Sequence, residues 1–581
     1  MDLAAIYLFL HALWTVPAIL FPSAARASPN ASQFQVQALP DSASLPPSWA
    51  GRLPVPETEV GNSMFFWLFQ TEDPVYDENL ISSVSPLAMP SHASTELTAT
   101  VWFNGGPGCS SLIGLTTGNG PVSFSGNSTR LVQNPHSWTK LGHVLYVDQP
   151  VGTGYSTASI PYPVNHNDRV ASDFSKWLRS FFLVFPHLQT KRVHLIGESY
   201  AGIYIPYIAA ALVDSNTKNP SLHINLQSIA LGDGTIGNPA AMSTVTIGAY
   251  LESQRARLDL PDDILSVFAD ADDSCGFTHV LDQANHYPPQ QDPIRIPGNP
   301  EYLNYKRRSL ERRGLGATLN GTCAIDSPTP DAVEASILDS SCYGPCATFS
   351  TATDYMRAAA AASPRRKCFD VYDIHNDCDA VDPLPLLATY FSRPDVQRAL
   401  NLPPPLSART SPSPNSEDDD DEDGTYTPCN NTILAALLLA TPPEPPAYSI
   451  LPTLLTTHGL AVHIYSGEFD MLLNHIGTEL VLQNMTWNGA RGFAQPPRRV
   501  FFVQDAAPDA VTLAAHPCGS VDGGNGPVEA IAACALDPAV AGVWASERGL
   551  TYHLFRGAGH TVFVNKPREM FSYVRDVVLA R

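Results

Sequence analysis

The stretch Val193 to Tyr207, VHLIGESYAGIYIPY, narrows the choice of folds more than any other part of the chain. An apolar run (Val193, Leu195, Ile196) halts at Gly197-Glu198-Ser199-Tyr200-Ala201-Gly202 and resumes in residues able to form a helix. This is the pattern of a strand that turns sharply into a helix and lifts a serine above the edge of a sheet. The turn brings backbones almost into contact, so small residues are needed two before and two after the serine. Gly197 and Ala201 meet that need, with alanine where a second glycine is usual. Alone, the pattern also suits a purely structural turn. A serine used in acyl transfer needs a base, an orienting carboxylate and an oxyanion hole as well.

The neighbouring sequence has the grammar of a parallel α/β sheet. Met64 to Phe69, Leu97 to Phe103, His143 to Val147 and Ile224 to Leu231 read as strands, and Leu460 to Ser466 and Leu550 to Phe555 resume the pattern. Val170, Phe174, Trp177, Leu178, Phe181 and Phe182 recur at helical spacing after Asp168, as an aromatic stripe facing a sheet. Special residues gather at strand ends: Asn104 to Ser111 after one, Gly232-Asp233-Gly234 after another. The last two strands run into Gly467-Glu468-Phe469-Asp470 and Gly557-Ala558-Gly559-His560. The order serine, acid, histidine is that of α/β-hydrolase triads, with Glu468 and Asp470 both available as the acid.

At 581 residues the chain exceeds an ordinary domain, a length that α/β enzymes reach through insertions around one core. Residues 1–27 read as a secretory signal peptide ending Ala25-Arg26-Ala27, with a membrane anchor as the alternative. From Ser28 to about Pro56 the chain is expected to run over the surface without a core of its own. Residues 28–236 and 383–581 form the two parts of the sheet core, and 237–382 an inserted cap. The cap holds the basic cluster Lys306 to Arg313, a solvated face or a processing site. Residues 403–424 carry Glu417 to Asp423 (EDDDDED), which cannot pack, and 506–538 form a further insertion.

The net charge of -22, with no basic patch dominating any segment, argues against a nucleic-acid or anionic-membrane partner. Ten cysteines and sequons at Asn30, Asn127, Asn320, Asn430 and Asn484 agree with the secretory route, and no further run is long enough to span a membrane. No metal-ligand spacing appears, so neither a metal nor an organic cofactor is expected.

The blocks WFNGGPGCSSL (Trp102 to Leu112), LYVDQPVGTGYS (Leu145 to Ser156), GESYAGIYIPYIA (Gly197 to Ala209), YSGEFD and GLTYHLFRGAGH together resemble the serine carboxypeptidase family. The resemblance runs from about residue 60 to the C-terminus. It implies an α/β-hydrolase fold, with a mostly parallel central sheet and a helical cap. It selects Asp470 over Glu468 to complete a triad with Ser199 and His560. It further implies an oxyanion hole from the Gly106 and Tyr200 amides, binding of the substrate's free carboxylate by Asn104 and Glu198, and a Cys109–Cys429 disulfide. Six cap cysteines (Cys275, Cys323, Cys342, Cys346, Cys368, Cys378) keep fifteen pairings open, and Cys518 and Cys534 are candidates to bridge each other.

The chain departs from the family pattern at Gly118, where many members carry glutamate, at Thr561-Val562-Phe563, where Met-Val-Pro is common, and at Leu473 in place of a cysteine. The expected function is release of C-terminal amino acids from peptides and proteins through an acyl-enzyme, fastest at acidic pH. The alternatives are an acyltransferase or esterase on the same scaffold, and a silent binding protein. The expected location is extracellular, with a vacuole as the alternative.

Overall fold

The computed structural model describes residues 30–73, 98–290, 292–297, 328–338, 346–363, 368–376, 382–403, 426–439, 444–503 and 540–580. The leader 1–27, the basic cluster at 306–313, the acidic run, the 506–538 insertion, Asn320 and Cys323, Cys342, Cys378, Cys518 and Cys534 lie outside these residues.

Eleven strands form one sheet. They are β1 (Gln35–Val36), β2 (Ser48–Pro54), β3 (Ser63–Phe69), β4 (Thr98–Phe103), β5 (His143–Asp148), β6 (Arg192–Glu198), β7 (Leu226–Gly232), β8 (Ala461–Gly467), β9 (Arg499–Phe502), β10 (Val540–Glu547) and β11 (Leu550–Phe555). Their order is β1-β2-β3-β5-β4-β6-β7-β8-β11-β10-β9. The block β5-β4-β6-β7-β8-β11 is parallel, and antiparallel strands extend both edges. Its strands are almost wholly buried, as their apolar runs require when both faces are covered. This is the α/β-hydrolase architecture expected from the sequence.

The N-terminal segment departs from expectation. Ser48–Pro54 pairs with β3 along its whole length, and Phe34 and Leu53 join the main core. The alternation of buried and less buried residues in β2 is brief, and Ala, Ser and Pro on either side conceal it in the sequence.

Helix α1 (Asn167–Val184) lies on one face beside α2 (Ala201–Lys218). Its aromatic stripe meets the sheet as predicted: the Phe174 ring stands 5.1 Å from Phe103 and the Phe181 ring 5.3 Å from Phe66. Each such edge-on pair adds about 0.5–1.5 kcal/mol beyond burial alone. The other face is covered by the C-terminal helix Pro567–Tyr573, whose Tyr573 packs on Tyr465 and Phe555.

Helices Ile247–Ser253, Asp262–Ser274, Pro330–Leu338 and Thr348–Ala362 share a separate apolar cluster built on Tyr250, Phe268 and Phe349. Phe469 and Met471, beside Asp470, belong to that cluster, which ties the helical layer to the carboxyl edge of the sheet.

Candidate active site

Ser199 sits between β6 and α2 with φ +62, a left-handed conformation rare for a residue with a side chain. The elbow is held by its neighbours. A Cβ at Gly105 would lie 2.6 Å from the Tyr200 amide nitrogen and 2.7 Å from Ser199 Cβ. A Cβ at Gly197 would fall 2.5 Å from the Phe103 carbonyl and 2.8 Å from Ala201 Cβ. Position 197 must therefore be glycine, and with Gly197 in place Ala201 fits.

Asp470 and His560 come together from the ends of β8 and β11, parallel neighbours in the sheet. His560 Nδ1 and Asp470 Oδ2 are 2.7 Å apart, with both side chains buried. Asp470 Oδ1 accepts from the amides of Leu472 at 2.8 Å and Leu473 at 3.2 Å, so both its oxygens are engaged. The other carboxyl of the turn, Glu468, points elsewhere and accepts from the Gly557 amide at 2.8 Å. Burial opposes the charged imidazole of His560, but the charge and hydrogen bond of Asp470 outweigh it and raise the imidazole above its usual range, as Asp233 and Glu198 do when they are ionised. His560 Nε2 is buried without a hydrogen-bond partner.

Asn104 and Glu198, brought side by side at the ends of β4 and β6, form a second pair. Asn104 Nδ2 donates to Glu198 Oε1 at 2.8 Å. Its Oδ1 accepts from Trp102 Nε1 and the Gly114 amide, both at 2.9 Å, which fixes the orientation of the amide. Glu198 Oε2 is buried and unpartnered, and burial pushes the carboxyl up to about 7.

Gly106 adopts φ +108, beyond the reach of most side chains, and the adjoining Cys109 is disulfide-bonded to Cys429. Neither the Gly106 nor the Tyr200 amide is spent on a backbone carbonyl among the described residues. Of the six cap cysteines, Cys275 pairs with Cys346, and Cys368 is also disulfide-bonded. Among the sequons, Asn30 and Asn127 are exposed, whereas Asn430 Nδ2 donates to Gly152 O and Asn484 Nδ2 to Ile294 O.

Two features escape the sequence reading. The segment 368–376 is clamped over the histidine: His560 N donates to Tyr372 O at 2.8 Å, the Tyr372 ring lies 5.1 Å from the imidazole, and Ile374 N donates to Phe469 O at 3.0 Å. Nothing in its local sequence signals that contact. The second is Asp233, a buried carboxyl acting on both His560 and Asp470. Its place at a strand end between glycines was the available signal. Among the described residues no cluster of side chains suits a metal ion, and no helix is long and apolar enough to cross a membrane.

Comparison with known proteins bears on the family and the fold. A carboxypeptidase Y homolog of Arthroderma benhamiae is 42% identical over 96% of this chain and 95% of its own length. A pheromone-processing carboxypeptidase of Aspergillus fumigatus is 25% identical over 95% of this chain and 68% of its own. The crystal structure of a prohormone-processing carboxypeptidase from Saccharomyces cerevisiae covers 95% of each chain with a TM-score of 0.61 at 20% identity, a likeness of fold. The family described as serine carboxypeptidase matches residues 46–580. The chain belongs to the serine carboxypeptidase family.

Proposed function

We propose that Ser199, Asp470 and His560 form the catalytic triad of a carboxypeptidase that recognises the free C-terminal carboxylate of a peptide through Asn104 and Glu198. The observation that carries this reading is the 2.8 Å contact between Asn104 and Glu198 immediately before the strained serine. A carboxyl group accepts a second carboxylate as neighbour only if a proton lies between them. Burial, which lifts Glu198 to about 7, supplies that proton across the acidic range.

In the proposed reaction His560 Nε2 takes the Ser199 proton as Oγ attacks the scissile carbonyl. The Gly106 and Tyr200 amides receive the oxyanion, each donor worth on the order of a hundredfold to a thousandfold in rate. His560 then protonates the departing amine, the released C-terminal amino acid, and water repeats the sequence on the acyl-enzyme. Asp470 holds the Nδ1–H tautomer and stabilises the imidazolium. The open partner position on Nε2 suits a hydrogen bond to Ser199 that tightens once substrate is bound.

The helical layer within 237–382 is read as a cap over this edge, between core parts 28–236 and 383–581. Residues 1–27 are read as a cleaved signal and the enzyme as secreted, with a vacuole as the other acidic destination. Peptides and proteins are its substrates, and among the described residues Asn30 and Asn127 are the sequon asparagines exposed for glycosylation.

The test compares an N-blocked dipeptide with its C-terminal amide from pH 4 to 8, with Ser199→Ala as blank. Preference for the free carboxylate at acidic pH, lost in the variant, supports the reading. An inert dipeptide alongside esters turned over through Ser199 replaces it with an esterase or acyltransferase.

A further inference from the structure

Asp233 is the polar group at the site for which the proposed mechanism has no use. It lies in a loop tied to the reacting residues on both sides. Ser199 N donates to Gly232 O at 2.9 Å and Thr235 N to Ser199 O at 3.0 Å, fixing the loop to the elbow. Asp233 N donates to Tyr465 O at 2.8 Å, and Gly467 N to Asp233 Oδ1 at 2.8 Å, fixing it to the turn that leads to Asp470. Its φ of +41 is uncommon for a residue with a Cβ and persists because the surroundings impose it.

The side chain is fully buried, and Oδ2 has no hydrogen-bond partner. The titratable groups that act on it are the carboxyls of Glu198 and Asp470, the imidazole of His560, and the phenols of Tyr465 and Tyr552. His560 alone among these can carry positive charge, and it is already paired with Asp470. A carboxylate with one bare buried oxygen between two other carboxyls is costly, whereas the protonated acid carries no such charge. Burial first, and then the charge of Asp470, accordingly push this carboxyl well above the usual range.

We infer that Asp233 is a positioning residue that works as the neutral acid: Oδ1 fixes the acid turn through the Gly467 amide, and the proton on Oδ2 keeps a further negative charge away from His560. Every negative charge near His560 favours its imidazolium, which cannot accept the Ser199 proton. An enzyme that uses this base in acid gains from holding its other buried carboxyls protonated. The inference rests on the proposed roles of Ser199, Asp470 and His560.

The experiment follows kcat and KM for an N-blocked dipeptide amide from pH 4 to 9 in the unaltered enzyme, Asp233→Asn, Asp233→Ala and Ser199→Ala. The amide substrate removes the contact between Glu198 and a substrate carboxylate. Asparagine still accepts from Gly467 N but never ionises. Its alkaline limb is expected about one pH unit or more above that of the unaltered enzyme, with the acid limb in place. Asp233→Ala is expected to lower kcat about tenfold with KM within about twofold, the worth of one anchoring hydrogen bond, and Asp233→Asn to restore most of it.

Coincident alkaline limbs would overturn the inference. So would an acid limb moved down by a unit in Asp233→Asn, since that shift marks a carboxylate charged during turnover. Full activity in Ser199→Ala defeats the site assignment instead, whatever Asp233 does. Should Asp233→Asn not fold, the infrared band of a protonated carboxyl that Asp233→Ala removes from Glu198→Gln enzyme reads the same state. Its persistence at pH 8 supports the neutral acid and its absence overturns it.

Discussion

Asn104 Nδ2 lies 2.8 Å from Glu198 Oε1, and the Asn104 Oδ1 that orients the amide is held by Trp102 and Gly114. The pair presents one amide donor and one buried carboxyl, which is protonated below about pH 7. As pH rises through that value the carboxyl becomes negative and repels a substrate carboxylate. KM for an N-blocked dipeptide is therefore expected to climb about tenfold per pH unit above 7, while KM for the corresponding amide stays level. Glu198→Gln, neutral at every pH, flattens the climb. A climb that persists in the variant would assign it to another group.

The two acids of the β8 turn are separated just as cleanly. Asp470→Asn keeps the shape of the side chain but removes the charge that stabilises the imidazolium and fixes its tautomer. Its kcat at pH 5 is expected to fall on the order of a thousandfold or more. Glu468→Gln loses only strength in a contact to the Gly557 amide and should keep kcat within about threefold. Comparable losses in both would show that the turn as a whole, and not Asp470, supports the base.

Two of the three departures from the family pattern touch each other. A Cβ on Gly118 would lie 2.6 Å from Phe563 Cδ2 and 2.9 Å from the Phe563 carbonyl oxygen. The Phe563 ring in turn packs edge-on against Trp102 at 5.0 Å, and Trp102 holds Asn104. Gly118→Ala is expected to destabilise the fold by about 1–3 kcal/mol through overpacking. Phe563→Ala should cost about 3–5 kcal/mol and, by freeing Trp102, raise KM for the dipeptide more than for its amide. Melting temperatures and the two KM values check both. Equal effects on the two substrates would disconnect Phe563 from the carboxylate site.

Much of this site was legible because strand ends concentrate glycine and polar residues where the backbone must turn or approach a ligand. Ser199, Asp470 and His560 each follow an apolar run; chain order gave serine, acid and histidine, and the family resemblance chose Asp470 over Glu468. The sequence does not encode proximity between segments distant along the chain. The contact of Gly118 with Phe563, the Tyr372 carbonyl over His560 and the bridging role of Asp233 all arise from loops of different strands meeting at one edge. Strand β2 was missed for a local reason, since its short alternation lies among residues typical of coil.

Three histidines far from the reacting edge bear on the stability of the enzyme in acid. His194, His463 and His553 lie on β6, β8 and β11, all buried, and burial lowers them to about 3, 4 and 3 respectively. Each stays neutral in the folded chain while the unfolded chain takes up a proton below about pH 6.5. Their contribution to stability is thus present above 6.5 and drains away as pH falls toward the folded values. His194 bonds Ser228 Oγ through Nδ1 at 2.7 Å, and its Nε2 has no hydrogen-bond partner. His194→Asn should be less stable than the unaltered enzyme at pH 7, with the gap closing as the pH is lowered to 4, because only the histidine takes up a proton on unfolding, which favours its unfolded chain in acid. Thermal melts of the two proteins at matched pH measure that gap. A gap that is constant with pH would mean that His194 is protonated to the same degree in the folded and unfolded chains, contrary to its burial.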